Sequence, residues 1–201
     1  MAYDKSKLNP RKQRRRAAII RGAIVAFGQK GFNKTKIIDI AREADVADGT
    51  IYLYFENKDD VLIKVFQETL AERLAQLKEQ IDPIEDKVEK IHKYFELHAD
   101  IYKDHPEELR FFAIEARQSP QFYERYPDFN PFAKYKRYLY NLCKDAIDSG
   151  AIRKVSPEVM SNILYGTLEY TLVRWATGEL KLSIKNVIKQ SIDILHNGLA
   201  K

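Results

Sequence analysis

The stretch from Lys34 to Lys58, KTKIIDIAREADVADGTIYLYFENK, constrains this chain more than any other. Ile37, Ile40, Ala41 and Ala44 fall at the spacing that puts apolar side chains on one face of a short helix. Thr35 stands where a side-chain oxygen caps the first turn, and Phe32 just upstream can anchor the entry of the chain. Glu43-Ala44-Asp45-Val46 then breaks the period. Asp at such a turn tolerates a positive φ less readily than Gly but better than most residues. Asp48 reads as a second N-cap, opening a very short helix in which Ile51 and Phe55 share a face while Thr50, Tyr52 and Tyr54 point elsewhere. Three polar-tipped side chains on an exposed face need a partner. Two helices crossing steeply through such a turn form a helix-turn-helix, whose second helix enters the major groove of duplex DNA.

Charge agrees with that reading. The chain has 201 residues and a formal net charge of +5. Residues 1–58 hold 13 Lys and Arg against 6 Asp and Glu, while the remainder is slightly acidic. A basic head on an acidic body is the footprint of a protein that meets phosphate with its head alone. RNA and anionic lipid would also attract such a head, and the helix-turn-helix decides for DNA. With 8 Gly, 7 Pro and few alternating runs, the chain reads as all-α. The single Cys143 excludes an internal disulfide framework and fits a reducing cytoplasm as a small apolar filler. No apolar run reaches the roughly 18 residues of a membrane span, so a cytoplasmic protein is expected, without membrane contact.

Taken in order, Met1 to Pro10 reads as a loose arm bearing Lys5 and Lys7. Arg11, Lys12, Arg14, Arg15 and Arg16 follow at a helix start, where cations oppose the macrodipole and so call for phosphate. The first helix runs to about Gln29 and ends at Gly31. Asn57 caps a long helix that carries Val61, Leu62, Val65, Phe66, Leu70, Leu74, Leu77 and Ile81 down to Asp82-Pro83. Lys58 sits against the dipole of that helix, and a DNA phosphate supplies a reason. This divides the chain into residues 1–57, a three-helix DNA-binding domain with a basic arm, and residues 58–201, a helical effector-binding and dimerisation domain. Helices are expected before His105-Pro106, from Leu109 to a stop at Ser119-Pro120, from about Phe129 to Asp148, from Ser156-Pro157 onward, and from Ser183 to Leu199. The helix after Ser156 is apolar on two faces, and with the last helix it reads as a homodimer interface through Ile163, Thr167, Tyr170, Ile184, Ile188 and Leu195.

Thr35 with Ile40-Ala41, then Ala44, Val46, Gly49, Tyr52, Tyr54-Phe55, Lys58 and Leu62, resembles the DNA-binding signature of the TetR family of bacterial repressors. The sequence departs from that pattern at Lys36, Asp45 and Ala47, where threonine, glycine and serine are common. The resemblance implies phosphate contacts from Thr35, Tyr54 and Lys58 and base-edge readout around Thr50 and Tyr52. Together with Arg14, Lys36 and Gly49, these form the expected DNA-binding set. Two-fold symmetry would place two recognition helices on successive major-groove turns of a pseudo-palindromic operator, roughly 34–36 Å apart.

The segments Gly49 to Phe55, Arg117-Gln118-Ser119 and Tyr165-Gly166-Thr167 to Trp175 are in turn similar to TetR-type regulators of fatty-acid degradation, which sense long-chain acyl-CoA. That ligand needs an apolar tunnel, for which Phe66, Leu70, Leu74, Phe95, Phe111, Phe112, Leu164 and Leu168 are candidates. Its phosphates need cations, for which Arg110, Arg117, Lys134 and Arg137 are candidates. Two alternatives stay open: an efflux-type regulator that sets Glu115 or Glu169 against an aromatic cation, and a structural DNA-binding dimer without an effector. An enzyme has little support. The histidines lack metal spacing, Cys143 has no adjacent base and no glycine-rich phosphate loop occurs, so neither cofactor nor metal is expected.

Overall fold

The computed structural model describes residues 9–197, so Lys5, Lys7 and Leu199 lie outside the described residues, as does the side chain of Leu195. The described residues form ten helices: α1 Pro10–Lys30, α2 Ile37–Glu43, α3 Asp48–Ile51, α4 Lys58–Ile81, α5 Lys87–Asp104, α6 Pro106–Glu115, α7 Pro120–Arg125, α8 Ala133–Asp148, α9 Pro157–Ala176 and α10 Ile184–Asn197. No strand occurs among them. The chain groups into two compact units, one running to Thr69 and taking in Ile114–Phe129, the other made of Leu70–Ala113 and the chain from Asn130 onward. A single cut at residue 57 therefore differs from the observed partition. The division falls inside α4, and the first unit recruits a distant segment.

Local chemistry sets most helix ends. Asn9 accepts from the Lys12 N–H at 2.9 Å and Pro10 takes the first helical position, one residue earlier than the sequence suggested. Gly31, at φ 77°, ends α1. Asn57 Oδ1 accepts from Asp60 N at 2.8 Å to open α4, and Ser156 with Pro157 opens α9. Helix α7 was not expected. Ser119 accepts from Phe122 N with Pro120 behind it, so the pair that reads as a stop is also a start.

In the first unit, α1 packs on α2 and buries Ile19, Ile20, Ala23, Ile24 and Phe27; Ile40, Ala41, Ile51, Phe55, Val61, Leu62 and Val65 are buried in the same unit. Gly22 lets α1 approach α2: a Cβ there would lie 2.7 Å from the Ala44 nitrogen. Phe122 packs edge-on to Phe32 at 6.2 Å and to Phe129 at 5.2 Å, which explains why residues 114–129 belong here. Glu115, buried, accepts from the Phe32 N–H at 3.0 Å and from Gln118 Nε2 at 3.1 Å. Those bonds occupy a carboxylate that the efflux-type alternative reserved for a cationic ligand.

In the second unit, α5 turns Ile91, Tyr94, Phe95, His98 and Tyr102 into the core with Tyr135, Tyr138, Leu139 and Leu142 of α8 and Leu164, Leu168 and Leu172 of α9. Arg73 on α4 grips Glu108 on α6 with two bonds of 3.0 and 2.8 Å. Cys143 is fully buried, and burial pushes its thiol up to about 12, so it stays protonated and inert. Ile184 and Ile188 are 4 % and 3 % exposed and belong to this core. They are withdrawn from the expected dimer face because the chain's own helices already cover them.

Candidate functional site

The helix-turn-helix is the segment α2–turn–α3. The Lys36 N–H donates to Asp39 Oδ2 at 2.9 Å, so an acid inside α2 caps it and Thr35 does not. Asp39 also holds Lys30 and Arg42 at 2.6 and 2.9 Å, and these bonds keep its carboxyl below the usual carboxylate range. Asp45 adopts φ 53°, the positive value expected of the turn, and the Val46 N–H reaches back to Ala41 O at 3.0 Å. Asp48 is the first residue of α3 and Ala47 its N-cap, so the cap lies one residue before the position read from sequence. The four-residue α3 buries Ile51, and Phe55 just beyond it is buried as well.

Tyr52 and Leu53 are 58 % and 79 % exposed, Thr50 and Tyr54 are half-buried, and Gly49 is exposed. A Cβ at Gly49 would meet no atom of the chain, so the fold itself does not require glycine there. Leu53 and Ile38, the latter 57 % exposed on α2, are apolar groups of this surface that were not singled out from sequence. The signal was available for Leu53, a large apolar residue lying off the Ile51/Phe55 face.

Three residues expected at phosphates have internal duties. Thr35 is 1 % exposed, and its hydroxyl contacts the Gly31 and Ala26 carbonyls at 2.8 and 3.2 Å. Lys58 Nζ donates to the Phe32 and Thr35 carbonyls at 2.8 and 2.9 Å and lies 4.4 Å from the Phe32 ring centroid. Those carbonyls offset the unfavourable dipole at the start of α4. Arg16 is 3 % exposed: it binds Glu68 through Nε and Nη2 at 3.0 and 2.6 Å and the Tyr54 carbonyl at 3.0 Å, and it stacks 4.3 Å over Phe55. Thr35 and Lys58 thus support the turn before α2, and Arg16 is a bolt that fixes the recognition segment. Arg11, Lys12, Arg14, Arg15 and Lys36 remain exposed cations of this unit.

The expected effector residues divide between the units. Phe66 and Arg117 lie in the first; Leu70, Leu74, Phe95, Arg110, Phe111, Phe112, Lys134, Arg137, Leu164 and Leu168 lie in the second. All the apolar members are buried and all four cations are exposed. Within the second unit a cavity of about 360 Å³ is walled by Val88, Ile91, Phe95, Ile152, Met160, Leu164 and Ile192, with His92 and Arg153 among its lining. Only Phe95 and Leu164 of the expected set reach it. On α9, Ile163 and Tyr170 are 53 % and 65 % exposed, as an unpartnered face requires, with Val159 beside them at 55 %. Thr167 is half-buried, and its hydroxyl donates to Ile163 O at 2.9 Å.

Residues 19–65 match the family described as bacterial regulatory proteins, tetR family, and residues 66–198 match the C-terminal region of YsiA-like proteins. The chain belongs to the TetR family. It is a TetR-type, helix-turn-helix transcriptional regulator, as the resemblance implied. It is 29 % identical over 193 residues to the fatty acid metabolism regulator protein of Bacillus subtilis (strain 168), covering 90 % of this chain and 93 % of that one. Among solved structures it is similar to the transcriptional regulator FadR from Bacillus subtilis in complex with stearoyl-CoA, with TM-score 0.83 and 25 % identity over 92 % of this chain and 99 % of the other. The same values describe its likeness to the fatty acid degradation regulator FadR from Bacillus halodurans. No helix among the described residues is long and apolar enough to cross a membrane.

Proposed function

We propose that this TetR-family regulator is a cytoplasmic, non-enzymatic repressor that binds a pseudo-palindromic operator as a homodimer and is released by long-chain acyl-CoA. The observation that carries the effector class is the likeness, over nearly the whole length of both chains, to a regulator crystallised with stearoyl-CoA. The DNA role rests on half-buried Thr50 of α3 and on exposed Tyr52 and Leu53 just after it, on a segment fixed by Arg16, Ile51 and Phe55. Thr hydroxyl and methyl groups meet base acceptors and thymine methyls, Leu53 adds an apolar contact, and Gly49 lets a sugar-phosphate backbone come close. Arg14 and Lys36 supply exposed charge for phosphates. The dimer face is Ile163, Tyr170 and their apolar neighbour Val159.

Helix α4 supplies a route for release. Glu68 on it is tied to Arg16 in the first unit, and Arg73, little more than one turn further, is tied to Glu108 in the second. A ligand that prefers one arrangement around Arg73 shifts the population of α4 positions, and operator affinity changes by the coupling energy, typically about 1–3 kcal/mol. The test is operator binding followed by fluorescence anisotropy at fixed salt, with palmitoyl-CoA, free CoA and palmitate added separately. Release by palmitoyl-CoA alone is the expected result. Intact DNA binding insensitive to all three refutes the effector, and release by palmitate alone refutes the requirement for CoA.

A further inference from the structure

Tyr94 and Tyr135 carry buried hydroxyls without a hydrogen-bond partner. Their residues are 0 % and 4 % exposed. Such atoms are uncommon, since a buried polar group left unpaired is costly and phenylalanine would fill the same space. The pair is not scattered. Tyr94 projects from α5 and Tyr135 from α8, and their rings flank one imidazole, that of His98, at centroid distances of 4.4 and 5.7 Å. His98 Nδ1 lies 2.6 Å from the Tyr94 carbonyl, so the neutral ring donates there and presents Nε2 as an acceptor. Arg73 and Glu108, whose charges act on Tyr135, are paired with each other through two bonds. The second unit thus holds two buried, neutral donors around one neutral imidazole.

The partner fitting such donors is an uncharged oxygen acceptor on an otherwise apolar molecule. A free carboxylate does not suit: burial already pushes His98 down to about 4, so this region disfavours unpaired charge of either sign. The same unit also holds a cavity, lined by neither tyrosine but by the neighbouring Phe95. Phe95 is edge-on to Tyr94 at 5.9 Å and forms a wall of the 360 Å³ cavity, a size within the range of small-molecule sites of about 300–1,000 Å³. Resting on the acyl-CoA reading above, we propose that the Tyr94 and Tyr135 hydroxyls donate to the thioester carbonyl of the effector and so distinguish an acyl thioester from a fatty acid or an alkyl chain of equal length.

The test compares palmitoyl-CoA with hexadecyl-CoA, the thioether that lacks the carbonyl, by calorimetric titration of the wild type, of Tyr94→Phe and Tyr135→Phe singly, and of the double variant. Each neutral hydrogen bond corresponds to about three- to tenfold in affinity. The wild type should prefer the thioester by about tenfold or more. The double variant should lose that preference while binding the thioether as before, and its ligand-free Tm should rise. Tyr138→Phe, whose hydroxyl bonds Asp82 at 2.7 Å, should keep the preference. Equal binding of the two ligands by the wild type overturns the assignment, as does a preference that survives in the double variant and both single ones. Binding of neither ligand by a wild-type protein that still binds operator overturns the acyl-CoA reading and this assignment with it.

Discussion

Replacing Arg16 with methionine keeps most of the side-chain stem but removes a guanidinium that is 3 % exposed and bonded to Glu68, itself only 14 % exposed at its side chain. The Glu68 carboxylate is then left buried without this cation, the Tyr54 carbonyl loses a donor at 3.0 Å, and Phe55 loses its stacked partner. Breaking one side of a buried pair costs about 3–5 kcal/mol, a large part of the about 5–15 kcal/mol that holds a typical domain together. With a urea dependence of about 1–3 kcal/mol per molar, the unfolding midpoint should fall by about 1 M or more. Urea titration followed by circular dichroism at pH 7, on Arg16→Met, Glu68→Leu and the double variant, measures this directly. The double variant should recover much of the loss, because neither charge is then buried without the other. A cost below about 1 kcal/mol for Arg16→Met would refute the reasoning, and so would a cycle additive within about 0.5 kcal/mol.

His98 should make stability depend on pH. Its folded pKa of about 4 lies below the unfolded value of about 6.5, so the unfolded chain binds the extra proton between them. Its contribution is complete above about pH 6.5 and falls by about 3 kcal/mol as pH drops to about 4, and in His98→Gln the denaturation profile over that window should flatten. Gly22→Ala should lower stability by about 1–3 kcal/mol, read from the unfolding midpoint, because its Cβ meets the Ala44 backbone nitrogen at 2.7 Å. Asp45→Val should cost about 1–2 kcal/mol at φ 53°, whereas Asp45→Gly should not destabilise. Ile163→Glu, on the exposed face of α9, should move the protein toward monomer in analytical ultracentrifugation and leave its helical circular dichroism unchanged.

Features encoded within a few residues were legible in the sequence. The spacing of Ile37, Ile40, Ala41 and Ala44, the turn at Asp45, the stop at Gly31 and the caps at Asn57 and Ser156 each depend on neighbours within one or two helical turns. Features that depend on a distant partner were not. Arg16 stands beside Arg14 and Arg15 and looks like them, and only Glu68, far along the chain, makes it different. Lys58 presents a cation needing an acceptor, and sequence does not distinguish a phosphate from the carbonyls of Phe32 and Thr35. Ile184 and Ile188 show that an apolar stripe is covered by something without saying by what; here the second unit's own helices cover them. The tyrosines around His98 read as aromatic core, and only the missing partners of two hydroxyls set them apart.

On the function proposed above, α3 and the Tyr52-Leu53 pair after it read base sequence. Selection of bound fragments from a random duplex pool, followed by sequencing, tests it most directly when run in parallel with the wild type, Thr50→Ala and Tyr52→Ala. The wild type should enrich a two-fold-related motif with half-sites about one helical turn apart, and each variant should relax preference at particular, symmetrically placed base pairs. No enrichment by the wild type, or the same motif selected by all three proteins, would contradict it.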